Sequence, residues 1–177
     1  MKTFAVSIPT KSYIRKYLHK RYGYPIPLNH QTLIGTAVLA MLEKKIHSDR
    51  SKALDVYKTY SSYNDKVQFV IPQSFVYKTG HMLEVPSHKA IVINRHFEGH
   101  FEEELYAFCQ REIRSHRKHP GYDQAYERFA QRYGIEFDVD ITYEALKKME
   151  YRFRKKLEQN LTATVPSTSD KVLTLFA

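Results

Sequence analysis

Several features that would assign the chain to a class of protein at once are missing from it. Its one cysteine, Cys109, excludes an internal disulfide and any metal site built on several cysteines. No apolar run approaches the roughly 18 residues that a membrane-spanning helix needs. Pro9 and the charges from Lys11 onward interrupt the apolar start of the chain before it could form a secretory signal. We therefore expect a cytoplasmic protein without membrane contact.

The common signatures of catalysis are missing as well. The sequence contains no glycine-rich phosphate loop, no nucleophile elbow and no serine–histidine signature. His96 and His100 lie four residues apart, as two metal ligands on one helical face would, but Gly99 lies between them and the HExxH order is absent. We therefore expect a protein that is not an enzyme and that holds no metal or cofactor.

One cluster of carboxylates keeps a nuclease as an alternative. Glu136, Asp138 and Asp140 alternate along a segment predicted to be extended, which would place all three on one side of a strand. Two-metal catalysis uses such a cluster. The same residues equally suit a solvated turn before a basic helix, and we favour that interpretation.

Acidic residues are scarce at the start of the chain, and bases crowd near its other end. The net charge is +9, and residues 1–42 contain six bases and no acid. Residues 43–110 balance nine bases against nine acids, whereas six bases crowd into residues 147–156. Two basic segments around a neutral middle indicate a polyanionic partner, although many solvated helix faces are basic too.

Apolar periodicity predicts a helix-dominated α+β fold with a small sheet from two short strands. Alternation over residues 3–9 and 67–72 predicts the strands. Helical spacing, with Thr10 and Asn29 as N-caps of the first two helices, predicts helices over 11–22, 30–46, 98–116, 122–133 and 142–159.

The order of elements also predicts an internal duplication. FAVSIP and VQFVIP are each followed by a serine–aromatic pair, a glycine, an extended piece with proline and a long helix. These matches predict a repeated strand-helix-strand-helix unit over residues 3–47 and 67–118, whose two strands pair around a pseudo-twofold axis. Residues 1–120 would then form an α+β core domain, 121–159 a C-terminal helical DNA-binding-like segment and 160–177 a tail.

The last predicted helix carries the strongest candidate site. Its apolar stripe would pack inward while bases and a tyrosine face solvent, as contact with phosphates or the major groove requires. These residues are Lys147, Lys148, Tyr151, Arg152, Arg154, Lys155 and Lys156. With the preceding helix they form a helix-turn-helix-like pair, although residues 134–141 are longer than the usual turn of about three or four residues.

The first helix offers a second basic patch. Lys11, Arg15, Lys16 and Lys20 share its polar face with His19. Tyrosines interleave with these bases and can stack on unpaired bases, but their spacing favours burial in the core.

The C-terminal third resembles small basic proteins of prophages and mobile elements in Bacteroidetes-type bacteria. In those proteins a short helix ending in Tyr-Gly precedes an acidic loop and a helix of the form LKKxxYRxRKK. The matching residues here are Tyr133, Gly134, Asp138, Asp140, Leu146, Lys147, Lys148, Tyr151, Arg152, Arg154, Lys155 and Lys156. The resemblance implies a phage or mobile-element setting and no particular activity.

Together these observations predict a protein that binds nucleic acid, DNA more readily than RNA. The alternative from another class is a structural or assembly protein, or an oligomeric adaptor, of a phage or mobile element. The tyrosine-rich composition and the apolar end of the tail, residues 172–176, favour that alternative, because a terminal apolar segment can dock on a second copy of the chain to form a homo-oligomer.

Overall fold

The computed structural model describes residues 3–29, 31–41, 62–73, 85, 87–115 and 121–164. Within these residues the protein is helix-dominated α+β, with five helices and a three-stranded mixed sheet. The elements in chain order are β1 (Thr3–Thr10), α1 (Ser12–Tyr22), β2 (Ile26–Pro27), α2 (Leu33–Met41), β3 (Asp65–Pro72), α3 (Ser87–Ser115), α4 (Tyr122–Tyr133) and α5 (Tyr143–Thr164).

β3 lies at the centre of the sheet, antiparallel to β1 and parallel to β2. Val6 faces Phe69 in the middle of the β1–β3 ladder. Alternate residues of each strand are buried, as the period of two predicts. The prediction of a two-stranded sheet was wrong in number, because the extended stretch after α1 adds a third strand, and the Leu28 amide donates to the Val70 carbonyl beside it.

Thr10 does not cap α1 as predicted. Thr10 is the last residue of β1, and its hydroxyl donates a hydrogen bond to Asn94 Oδ1 of α3 at 2.5 Å. The Asn94 amide in turn donates to the carbonyls of Pro9 and Ala90. Both side chains are buried, so this network satisfies polar groups that would otherwise be costly in the core. It also ties the end of β1 to α3.

Helix α3 begins at Ser87, well before the start predicted at residue 98. Its buried stripe already includes Ala90, Ile93 and Phe97, so the packed face extends over the earlier turns. Gly99 is exposed, and a glycine inside a helix costs only about 1 kcal/mol, which this packing offsets.

Aromatic rings join α3 to the helices on either side of it. Phe101 of α3 packs against Tyr17 of α1 and Phe129 of α4, with ring centroids 5.4 Å apart in both pairs. Tyr17 also contacts Tyr133 at 5.1 Å. The predicted core domain and C-terminal segment therefore contribute to one hydrophobic core.

A tight turn, and no strand, connects α4 to α5. Helix α4 covers the predicted range and ends at Gly134, whose φ of 65° suits a residue without a side chain. Asp138 also has a positive φ of 65°, and the Asp140 amide donates to the Glu136 carbonyl at 2.9 Å. The expected extended placement of the three carboxylates was therefore wrong. Thr142 Oγ1 then accepts from the Ala145 amide at 3.2 Å, at the start of α5.

Candidate nucleic-acid interface

The basic residues predicted on the last helix lie on one side of α5. Six side chains on this face are exposed: Lys147, Lys148, Tyr151, Arg152, Lys155 and Lys156. With about 100° between successive residues, they fall within roughly half of the helix circumference. Among the residues that the structure describes, no ion pair involves any of the five bases. We call these six residues the basic face of α5.

Packing on the opposite side of α5 holds the basic face outward. Leu146 is fully buried, and the ring of Phe153 contacts Tyr106 of α3 with centroids 5.5 Å apart. Tyr143 packs edge-on against Tyr126 and Phe137. Rotating α5 would take these rings out of contact, so the apolar contacts set the direction of its bases.

Arg154 was predicted to share this surface, but it turns toward α4. Its Nη1 donates to the Tyr122 hydroxyl at 2.9 Å, and its Nε lies 3.7 Å from the Glu150 carboxylate. The guanidinium also lies over the rings of Tyr122 and Tyr151, at 4.9 and 5.7 Å from their centroids. Arg154 is therefore engaged within the protein and does not belong to the free basic face.

The predicted patch on α1 is largely neutralised by acids from distant parts of the chain. Lys11 Nζ lies 2.7 Å from Glu98 Oε1, and Arg15 pairs with Asp65. Lys16 pairs with Glu136 and Asp140 of the α4–α5 turn. Lys20 is exposed. Three of the four bases predicted to contact nucleic acid on α1 are therefore already paired with acids of the protein, and the contact itself stays a prediction.

The carboxylates considered for a nuclease serve as the partners of Lys16. Lys16 Nζ lies 2.6 Å from Asp140 Oδ2 and 3.0 Å from Glu136 Oε1. Burial would raise the pKa of Asp140, but hydrogen bonds from Lys16 and from the Glu136 amide outweigh this and lower it. Asp138 is exposed and turns away in its left-handed conformation. The described part of the chain contains no group of three side chains able to hold a metal ion.

The histidines of α3 are likewise occupied or exposed. His100 Nδ1 lies 3.7 Å from Glu103, the next acid on the same helix face. Glu104 instead accepts hydrogen bonds from Arg21 at 2.5 Å and from the Tyr133 hydroxyl at 3.2 Å. His96 is exposed. Glu104 thereby links α1 and α4 to α3.

A cavity of about 270 Å³ opens between α4 and α5, next to the basic face. Tyr122 and Tyr126 of α4 line it, as do Lys147, Lys148 and Tyr151 of α5. Sequence reasoning missed the two α4 tyrosines, because their spacing of four residues fits an ordinary core stripe.

Glu150, also missed, lines the same cavity and is fully buried. Its Oε2 accepts a hydrogen bond from the Tyr126 hydroxyl at 3.2 Å, whereas its Oε1 has no hydrogen-bond donor among the described residues. Burial raises the pKa of Glu150, and Arg154 and Tyr126 oppose that rise. An acid within the apolar stripe of α5 was the signal that could have revealed this site.

Comparison with other proteins does not assign the site. None of the helices within the described ranges has the length and apolar character needed to cross a membrane. No significant match to the chain emerges from protein-family models, from curated proteins or from solved structures.

Proposed function

We propose that this protein binds nucleic acid through the basic face of α5. The observation that carries the proposal is a contrast in ion pairing: three of the four bases predicted on α1 form ion pairs, and the five bases on this face form none among the described residues. Glu102 of α3 acts on Arg152 and Lys156 only at longer range. Uncompensated, aligned positive charge on one helix face attracts a polyanion. No feature of this face requires chemistry beyond binding.

Phosphate contact would supply most of the affinity. Lysines act as point charges, whereas Arg152 can bind a phosphate or a base edge with two parallel hydrogen bonds. If all five bases each neutralise one phosphate, the logarithm of affinity falls with the logarithm of salt with a slope of about 4.5. That slope means a loss of about 500-fold between 50 and 200 mM salt.

The shape of the surface favours DNA over double-stranded RNA. A single exposed helix such as α5 fits the wide major groove of B-form DNA, whereas the major groove of A-form RNA is too deep and narrow for it. In this proposal α4 and α5 act as a helix-turn-helix-like pair with a long connection, residues 134–142. The resemblance of the C-terminal third to mobile-element proteins agrees with such a role in the cytoplasm.

The pairing of β1 with β3 supports the proposed internal duplication. When FAVSIP is aligned with VQFVIP, Val6 and Phe69 are equivalent, and these two residues face each other in the ladder. Phe4 faces Ile71 and Ile8 faces Val67, which is the arrangement that a twofold axis through the central pair generates. The duplication would then account for the β1–β3 pair, and the C-terminal helix pair would be the part added for binding.

A charge-reversal pair of variants tests the proposed function. Lys147→Glu, Lys148→Glu and Arg152→Glu together should weaken binding to labelled duplex DNA by about 100-fold, since three attractive contacts become repulsive. The matched control reverses Lys20, Lys66 and Arg95, which are exposed bases outside the basic face. Both variants lower the net charge of +9 by the same amount. Fluorescence anisotropy at two salt concentrations measures the affinities.

The affinities of the two variants for duplex DNA are compared with that of the unmodified protein. We expect the control to bind within a few-fold of the unmodified protein. Equal losses in both variants would show that net charge, and not the basic face, determines binding. Undiminished binding by the α5 variant, with an unchanged circular dichroism spectrum, would refute the proposal.

A further inference from the structure

The cavity between α4 and α5 combines three features: its position, its volume and its lining. It adjoins the basic face, because Lys147, Lys148 and Tyr151 belong to both. Its volume of about 270 Å³ lies just below the roughly 300 Å³ at which small-molecule sites begin, which suits one ring system. Its walls carry aromatic rings, and its floor carries a buried carboxylate.

The carboxylate on the floor has an unused acceptor. Glu150 is fully buried, and Oε1 has no hydrogen-bond donor among the described residues, whereas Oε2 is held by Tyr126. Arg154 Nε lies 3.7 Å from Oε1, too far for a hydrogen bond. A buried acceptor without a donor is rare in proteins, so a ligand that donates hydrogen bonds would complete this site.

The rings on the walls already hold one flat group. The planar guanidinium of Arg154 lies over the Tyr122 ring at 4.9 Å and over the Tyr151 ring at 5.7 Å from the ring centroids. A flat nucleobase can stack on the same rings, since every base presents a π-face to an aromatic side chain. About a third of the Arg154 side chain is exposed, so its guanidinium can swing toward solvent and join the basic face.

We propose that this cavity binds one unpaired guanine of a nucleic-acid strand, with Glu150 as its specificity-determining residue. Guanine presents two adjacent donors, N1–H and the 2-amino group, which match the two oxygens of a carboxylate. Adenine and cytosine pair one amino donor with a ring acceptor, and thymine has a single ring donor between two acceptors. Tyr151 stacks on the base, and Lys147 and Lys148 contact the adjacent phosphates. This inference rests on the proposed function, because the strand reaches the cavity across the basic face.

Short single-stranded oligonucleotides test the inference directly. Thymine oligonucleotides that carry one central dG, dA or dC are titrated into the full chain, and anisotropy measures each affinity. We expect the dG oligonucleotide to bind about tenfold more tightly than the other two, which is the usual scale for one bidentate base contact. Equal affinity for dG, dA and dC, or a preference for dA or dC, would overturn the inference.

Two variants test whether the Glu150 carboxylate, and not the overall charge of the protein, determines the preference for dG. Glu150→Gln replaces one acceptor by a donor and should abolish the dG preference while binding to plain oligothymidine persists. Glu127→Gln removes one negative charge from an exposed side chain of α4 that does not line the cavity and should keep the preference. A dG preference that survives in Glu150→Gln would contradict the role of this residue.

A third variant keeps the test decisive if Glu150→Gln does not fold. Tyr151 is about half exposed, so Tyr151→Ala should fold normally and should weaken dG binding about tenfold through lost stacking. Unchanged dG binding in that variant would overturn the inference. A complete absence of binding to any oligonucleotide or duplex would instead refute the proposed function, so the two failures are distinguishable.

Discussion

The bases of α1 and α5 are similar in sequence and differ in their surroundings. On α1, Lys11, Arg15 and Lys16 meet acids supplied by α3, β3 and the α4–α5 turn. On α5, no base of the basic face forms an ion pair among the described residues, and Glu102 of α3 acts on Arg152 and Lys156 only at longer range. Whether a run of lysines and arginines stays free of ion pairs therefore depends on the acids that the fold brings to it.

Removing a paired base should cost more stability than removing a free one. Lys16→Met leaves Asp140, whose side chain is only 3% exposed, without its cation, and we expect a loss of about 2 kcal/mol in the free energy of unfolding. Lys148→Met is the matched control, with an expected change within about 0.5 kcal/mol. Urea denaturation of both variants measures the difference. Similar losses would mean that the ion pairs of α1 contribute little.

A half-buried histidine on α1, His19, should make the protein less stable in mild acid. Burial lowers the pKa of His19, and the charge of Arg15 lowers it further, while Asp65 opposes the shift. Its Nε2 is buried without a hydrogen-bond partner among the described residues, and its ring packs on Tyr24. The unfolded chain therefore binds a proton more readily than the folded one, and stability falls as the pH drops below about 6.5.

His19→Gln provides the comparison for that effect. The variant lacks the titrating group, so the stability of the unmodified protein relative to it should decrease between about pH 7.5 and pH 5. Chemical denaturation at both pH values measures the change. A constant difference would show that His19 takes up a proton equally in the folded and unfolded chain.

The buried acid on α5 should produce the opposite pH dependence. Because burial raises the pKa of Glu150, the folded chain holds this proton more tightly than the unfolded chain. The contribution of Glu150 to stability is therefore present below the unfolded pKa of about 4.5 and is lost as the pH rises through the folded value. The stability of Glu150→Gln relative to the unmodified protein should increase from about pH 4.5 toward neutral pH. No change over this range would indicate that Arg154 fully compensates the carboxylate.

Local sequence patterns predicted the elements whose ends depend on nearby residues. Alternation in β1 and β3 appears as buried and exposed faces, and α4 ends at Gly134 as its glycine indicates. The start of α3 at Ser87 and the pairing of β2 were missed, because both depend on contacts with distant parts of the chain. Thr10 satisfied its hydroxyl with Asn94, a partner that local rules do not include.

The candidate site also has one part that the sequence predicts and one part that depends on contacts between helices. The outward direction of Lys147 follows from the apolar stripe that includes Leu146, and a helical period is enough to predict it. The cavity, by contrast, needs Tyr122 and Glu150 from two helices, and their separation in sequence carries no information about their contact. In the sequence Arg154 is one of six bases in residues 147–156, yet its hydrogen bond to Tyr122 removes it from the basic face.

Composition and helical period are enough to predict where bases occur, which helices are amphipathic and which side of α5 carries its charge. Contacts between distant segments, by contrast, set which bases remain without an ion pair and where a buried carboxylate lies beside aromatic rings. The physical reason is that charge compensation and cavity shape depend on distances of a few ångströms between residues far apart in the chain. Lys16 and Asp140, 124 positions apart in sequence and 2.6 Å apart in space, show this most directly.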